Sequence, residues 1–208
     1  MYERFRSAFA FDNRAAEPCK PADINFGYLP LDELFDRFGG GAFNNGIYRI
    51  ANSTSARQLT ETVSVAFSEF SGRIVCFAFD WLGRIFAVDS GRSVDGQRAV
   101  VMFEPGTGEA LEVPCNLVSF HDGELIEYRD AALSENFFRE WTASQRSPSY
   151  FECVGYKRPL FLGGGDSIEN LELIDMDVYW SISGQLIQKL RGTPAGTRVR
   201  ISTDHGEK

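Results

Sequence analysis

The chain has two histidines, four cysteines with no C-x-x-C pair among them, and fewer cations than anions. Each shortage closes a class of function. Metal sites built on nitrogen and sulfur need His and Cys at ligand spacing, whereas Cys19, Cys76, Cys115 and Cys153 are dispersed. No run approaches the roughly 20 apolar residues of a spanning helix, so no membrane association is expected. The opening Met1-Tyr-Glu-Arg-Phe-Arg6 lacks the apolar core of a secretory signal. The expectation is a cytoplasmic protein with reduced thiols. Lys and Arg total 21 against 29 Asp and Glu, a net charge of −8. That balance argues against direct nucleic-acid binding, which needs clustered cations to neutralise phosphates. It suits a basic partner, whose approach complementary charge would speed.

Catalytic signatures are missing too. No serine sits in a G-x-S-x-G elbow, no cysteine has an activating signature, and no glycine-rich stretch ends in the Lys-Ser/Thr of a P-loop. His121-Asp122, with Glu124 nearby, offers a general acid–base group. A His at a helix start is more commonly a cap or a surface residue, and His205 lies in the tail. Asp166, Glu169 and Glu172 match no EF-hand loop. The expectation is no catalytic residue, no metal and no cofactor.

What the chain does have is aromatic bulk. It carries 18 Phe in 208 residues and is 43% hydrophobic, enough for one substantial core. Met1 to Phe11 alternates aromatic and charged residues and fits a short helix or a strand. Leu31, Leu34, Phe35 and Phe38 share a helical face, with Pro30 in the first turn and Gly39 at the end. A strand is expected at Ile47–Ile50 and a helix from about Ala56 to Phe70, capped by Asn52 or Ser53. Four strand-like runs follow: Ile74–Phe79, Arg84–Val88, Ala99–Phe103 and Glu109–Val113, with a polar loop at Asp89–Gln97. Helical spacing returns at Phe120–Tyr128 and Leu133–Trp141. Asn170–Ile174 fits an edge strand or irregular chain, and a last helix covers about Met176–Arg191. The fold class is α+β: a single domain with a central antiparallel sheet flanked by helices. Residues 1–29 form an N-terminal extension, 30–200 the domain and 201–208 a mobile tail.

Several stretches carry chemistry of another kind. Gly163-Gly-Gly165 follows the apolar knot Pro159–Leu162 and provides either a structural turn or, with His121, a ligand-binding or hydrolytic site. Glu104-Pro-Gly-Thr-Gly-Glu109 reads as a hairpin turn in preference to a nucleotide loop, because carboxylates at both ends would repel a phosphate. Asp80-Trp-Leu-Gly-Arg84 places Trp81 and Arg84 at a hairpin tip. Both are residue types favoured at binding hot spots. The other reading folds Trp81 onto the core and pairs Arg84 with Asp80. The acidic set Asp166, Glu169, Glu172, Asp175 and Asp177 is either a solvated face or a docking surface for a basic protein.

Phe43-Asn-Asn-Gly-Ile-Tyr-Arg-Ile50, Asp80–Arg84, Glu104–Glu109, Pro159-Leu-Phe-Leu-Gly-Gly164, Glu169-Asn-Leu-Glu172 and Val178-Tyr-Trp180 together resemble a known family. The last stretch is similar to the carboxy-terminal domain of immunity proteins that accompany type VI secretion DNase effectors. It is also similar to the bacterial immunity proteins of the SUKH superfamily, the Smi/Knr-like group. The resemblance implies a bacterial cytoplasmic α+β protein that binds a toxin and blocks it stoichiometrically, without catalytic residues. Trp81, Arg84, Asp166, Glu169, Glu172, Asp175 and Asp177 are then the candidate toxin-binding residues, and the partner is a cognate, basic protein toxin. The alternatives are the small-molecule or hydrolytic domain and a regulatory scaffold module. The amino-terminal part does not match the additional domain of some of those immunity proteins.

Overall fold

A computed structural model describes residues 1–12 and 25–192. Cys19, His205 and the 201–208 segment lie outside the described residues. Six strands form an antiparallel meander in sequence order: β1 (Ala42–Phe43), β2 (Tyr48–Ile50), β3 (Ile74–Asp80), β4 (Ile85–Val94), β5 (Gln97–Glu104) and β6 (Glu109–Asn116). Continuous apolar runs in β3, β4 and β5 are buried on both faces, which is why these strands occupy the middle of the sheet. A bulge between Cys76 and Ala78 puts Phe77 and Ala78 on the same side.

One face carries α1 (Glu3–Ala8), α2 (Leu29–Phe38) and a chain of short helices: α4 (Leu117–Ser119), α5 (Leu125–Glu127), α6 (Arg129–Leu133) and α7 (Glu135–Thr142). A π-helical turn, Phe120–Glu124, joins α4 to α5. Tyr2, Phe5, Leu31, Leu34, Phe120, Leu125 and Leu133 are fully buried against Phe77, Phe86 and Val100 of the sheet. The opposite face carries α3 (Ser53–Ala66) and α8 (Met176–Leu190), which bury Ala56, Val63, Tyr179 and Trp180 on Cys76, Ile85, Ala87 and Val101. A second, two-stranded antiparallel sheet pairs β7 (Glu152–Tyr156) with β8 (Leu171–Asp175). The architecture is α+β, a central antiparallel sheet flanked by helices. Among the described residues no helix is long and apolar enough to cross a membrane.

Local chemistry sets the boundaries. Asn52 caps α3 by accepting from the N–H groups of Thr54 and Ser55, and Ser55 returns the bond in a capping box. The expected polar loop at 89–97 is instead a continuation of the β4–β5 hairpin. Asp95 and Gly96, both at positive φ, make a two-residue turn. Likewise β6 does not stop at Pro114 but runs to Asn116. It is an edge strand, where a missing N–H costs no ladder bond.

Candidate functional site

The β3–β4 turn is not a surface tip. It is plugged into the middle of the molecule, and that settles the two readings of Asp80–Arg84. Trp81 is fully buried, meets the Phe137 ring edge to face and the Phe138 ring at a tilt, and donates its indole N–H to Leu133 O at 2.8 Å. Trp180 of α8 donates to Gly83 O at 2.7 Å, and Val154 of β7 donates to Trp81 O. Gly83 sits at φ +78° with the Tyr179 ring so close that a Cβ would lie 3.1 Å from it. Trp81 therefore folds onto the core and is not placed to meet a partner.

Asp80 organises this turn. One carboxyl oxygen accepts from the backbone N–H groups of Leu82 and Arg84, each at 3.0 Å, and the other from Arg84 Nε at 2.6 Å. Arg84 also donates to Ala132 O at 3.1 Å and lies 3.8 Å from the Glu104 carboxyl. Burial works against the charge on Arg84, but Asp80 and Glu104 outweigh it and hold the guanidinium cationic. On the other side of Asp80, Arg49 is fully buried. It donates to the carbonyls of Asp80 and Glu152 and, at 2.8 Å, of Ser149.

From this buried network a cavity of about 500 Å³ opens outward. Its charged lining is Arg84, Glu104, Glu140, Asp166 and Glu169; Leu82, Phe137, Leu160 and Ile168 give it apolar walls. Glu104 ends β5, and burial pushes its carboxyl up to about 7, against the pull of Arg84 and the Gly106 N–H. Tyr156, at the end of β7, donates its hydroxyl to Asp166 at 2.6 Å. Thr107, on the β5–β6 turn, has its hydroxyl oxygen buried without a partner among the described residues. The structure thus brings together three of the sequence candidates, Arg84, Asp166 and Glu169.

Two glycine-bearing turns hold the walls. In 104–109 the Gly108 N–H donates to Glu104 O, and a Cβ on Gly106 would lie 2.6 Å from the Tyr156 ring. This is the expected hairpin turn. Leu160 donates to Gly106 O at 2.9 Å and so fastens the second turn to the first. In 163–165, Gly163 takes φ +79°, and a Cβ on Gly164 would fall 1.9 Å from Arg158 O. Asn170 staples this loop, accepting from Arg158 N–H and donating to Arg158 O and Gly165 O. The glycines build a turn.

The remaining candidates lie elsewhere. Glu172 is exposed on β8, opposite Gly155. Asp175 caps α8 by accepting from the N–H groups of Asp177 and Val178, and Asp177 sits in the first turn, where a carboxylate favours the helix dipole. His121 is not a surface or capping residue. It is fully buried, ringed by Tyr2, Phe5, Tyr48, Phe77 and Phe120. Its Nδ1 faces Leu117 O at 2.9 Å, and a carbonyl can only accept, so Nδ1 carries the proton. Nε2 then accepts from the Tyr48 hydroxyl at 3.0 Å. Burial holds the ring neutral, with its pKa down at about 4. Sequence reasoning started the helix three residues late. Asn116 is its cap, and Leu117, His121 and Leu125 then fall four apart on one face. Glu104, Glu140 and Tyr156 were missed as site residues. The one local signal was a carboxylate closing the apolar run Ala99–Phe103.

Residues 119–187 match the family described as T6SS immunity protein Tdi1, C-terminal. The matched segment includes Glu140, Tyr156, Asp166 and Glu169 of the cavity wall and stops short of Arg84 and Glu104. The chain is similar to type VI secretion immunity proteins over that segment. Its fold is similar to the crystal structure of Atu4351 from Agrobacterium tumefaciens, with a TM-score of 0.58, 16% identity, and 89% of each chain covered. No curated protein matches.

Proposed function

We propose that this protein is a non-enzymatic immunity protein that binds a cognate toxin stoichiometrically in the cytoplasm and covers its active site. The match of residues 119–187 carries the reading, and the SUKH-like motifs belong with it. A nuclease is the natural target. Its substrate cleft is basic, and a chain of net charge −8 can place carboxylates where phosphates would lie. On this reading the partner is a basic protein, and the chain binds neither nucleic acid nor membrane directly. The hydrolytic alternative loses its base, because His121 is sealed in rings with both nitrogens engaged.

Co-expression with the toxin encoded beside its gene tests the proposal. Growth should be rescued, and the purified pair should form a 1:1 complex. Raising salt from about 50 to 500 mM should weaken it at least about tenfold, as a charge-driven interface requires. Undiminished toxicity would overturn the immunity reading. A salt-insensitive complex would overturn the phosphate-mimic mechanism alone.

A further inference from the structure

We infer that the cavity between the β5–β6 turn and the loop after β7 is a socket for one arginine side chain of the partner protein. The identity of the occupant's owner rests on the immunity reading; the chemistry of the socket is argued from its walls. Four carboxyl side chains line it against one guanidinium, Arg84, which is shared between the buried Asp80 and, at 3.8 Å, Glu104. Glu140 has no hydrogen bond or ion pair among the described residues, and Asp166 is held by the Tyr156 hydroxyl and no cation. The surplus is negative, so the ligand is a cation. Among the described residues no three His, Cys, Asp or Glu side chains gather closely enough to hold a metal ion, so the charge is spread along the wall.

The rest of the lining selects the kind of cation. Leu82, Leu160 and Ile168 offer apolar contact for a methylene stem, and Phe137 offers a ring for a planar cation to stack on. Arginine fits this mixture better than lysine. Its guanidinium is less strongly hydrated, stacks on rings and presents several donors to separated carboxylates. A cavity of about 500 Å³ admits the whole side chain with water around it. Both walls are pinned, one by the Leu160 backbone N–H and the other by the Asn170 side-chain amide, so entry demands little ordering. The near-neutral Glu104 is the group such a cation would drive into its charged form.

Nα-acetyl-arginine amide is the probe, and the corresponding citrulline amide, neutral and nearly isosteric, is its control. Titrated into the whole protein by NMR, the arginine compound should shift the Phe137 and Tyr156 ring signals saturably, and the citrulline compound should not. The double variant Glu140→Gln, Asp166→Asn should weaken that binding at least about tenfold. The amide oxygen introduced by Asp166→Asn would still accept from the Tyr156 hydroxyl, and an unchanged melting temperature verifies the fold. The same variant should weaken the toxin complex about tenfold or more, the cost of a lost charged contact. Equal response to both probes, or none to either, overturns the socket. Arginine binding that the variant abolishes without any change in the toxin complex overturns the assignment to the partner. Failure of co-expression to protect, with arginine binding intact, would overturn the immunity reading and leave the socket standing.

Discussion

His121 is enclosed by five aromatic rings with a donor and an acceptor on its two nitrogens, whereas Glu104 lines an open cavity between a guanidinium and a backbone N–H. Burial disfavours the charged form of both groups, moving the first down to about 4 and the second up to about 7. The difference lies in what surrounds the neutral form. Around His121 every polar atom has its partner inside the fold, so the neutral ring is a finished piece of core. Around Glu104 the neighbours are a cation it shares with Asp80 and the Asp166 carboxyl, and Glu140 and Glu169 line the same cavity, so demand for positive charge is directed outward. A buried titratable group marks a binding site where its partners are incomplete, and burial alone does not.

The severest way to break this contrast is Arg84→Met. The buried Asp80 carboxylate would keep its two backbone N–H donors and lose its cation. Removing one partner of a buried pair costs about 3–5 kcal/mol, measurable by urea denaturation. A loss below about 1 kcal/mol would mean that Asp80 is already neutral, and the inventory of charge in the socket would change with it.

His121→Ala comes next. It removes a ring from a close-packed cluster and strands the Tyr48 hydroxyl, at a cost of about 2–4 kcal/mol near pH 7. The pH dependence has a definite sign. The folded value lies near 4 against an ordinary 6.5, so the unfolded chain binds the proton more readily in between. The stability contributed by the neutral ring is complete above pH 6.5 and lost as pH falls through 4. The penalty of the variant, read from denaturation at pH 7 and pH 4.5, should therefore shrink in acid. A constant penalty would show that the ring is protonated or hydrated in the native protein.

The same contrast explains what could be read from the residues. The central strands were legible because Ile74–Phe79 and Ala99–Phe103 are apolar runs bounded by turn residues, and α8 because its spacing persists for four turns. The turns at 104–109 and 163–165 were legible as turns. Their meeting was not, since Leu160 reaching Gly106 is a tertiary event with no local signature. β7 was missed because Glu152-Cys-Val-Gly-Tyr156 is short and interrupted by a glycine whose Cβ would strike Tyr179. Trp81 illustrates the deeper limit. A hairpin tip is ordinarily solvent-facing, and only the packing of α6, α7 and α8 around this one makes it a plug. The same packing leaves Arg84 at the base of the cavity, so one five-residue turn yielded a core residue and a site residue.

Glu104→Gln gives the smallest effect and the sharpest test, because its sign is opposite to that of His121. The folded Glu104 carboxyl lies near 7 against an ordinary 4.5, so between those values the folded chain holds the proton more tightly. Its stabilising contribution is complete below pH 4.5 and lost as pH rises through 7. Glutamine does not titrate and mimics the protonated acid. The stability of the variant relative to the parent should therefore improve by about 2 kcal/mol between pH 5 and pH 8, somewhat less than the full shift implies because the cavity is open to water. Urea denaturation at the two pH values reads the difference directly. An unchanged difference would mean that Arg84, 3.8 Å away, offsets burial completely. Glu104 would then be an ordinary member of an internal ion pair, its charge satisfied at home as His121 is satisfied by its cage, and the demand for an outside cation would fall to Glu140, Asp166 and Glu169 alone.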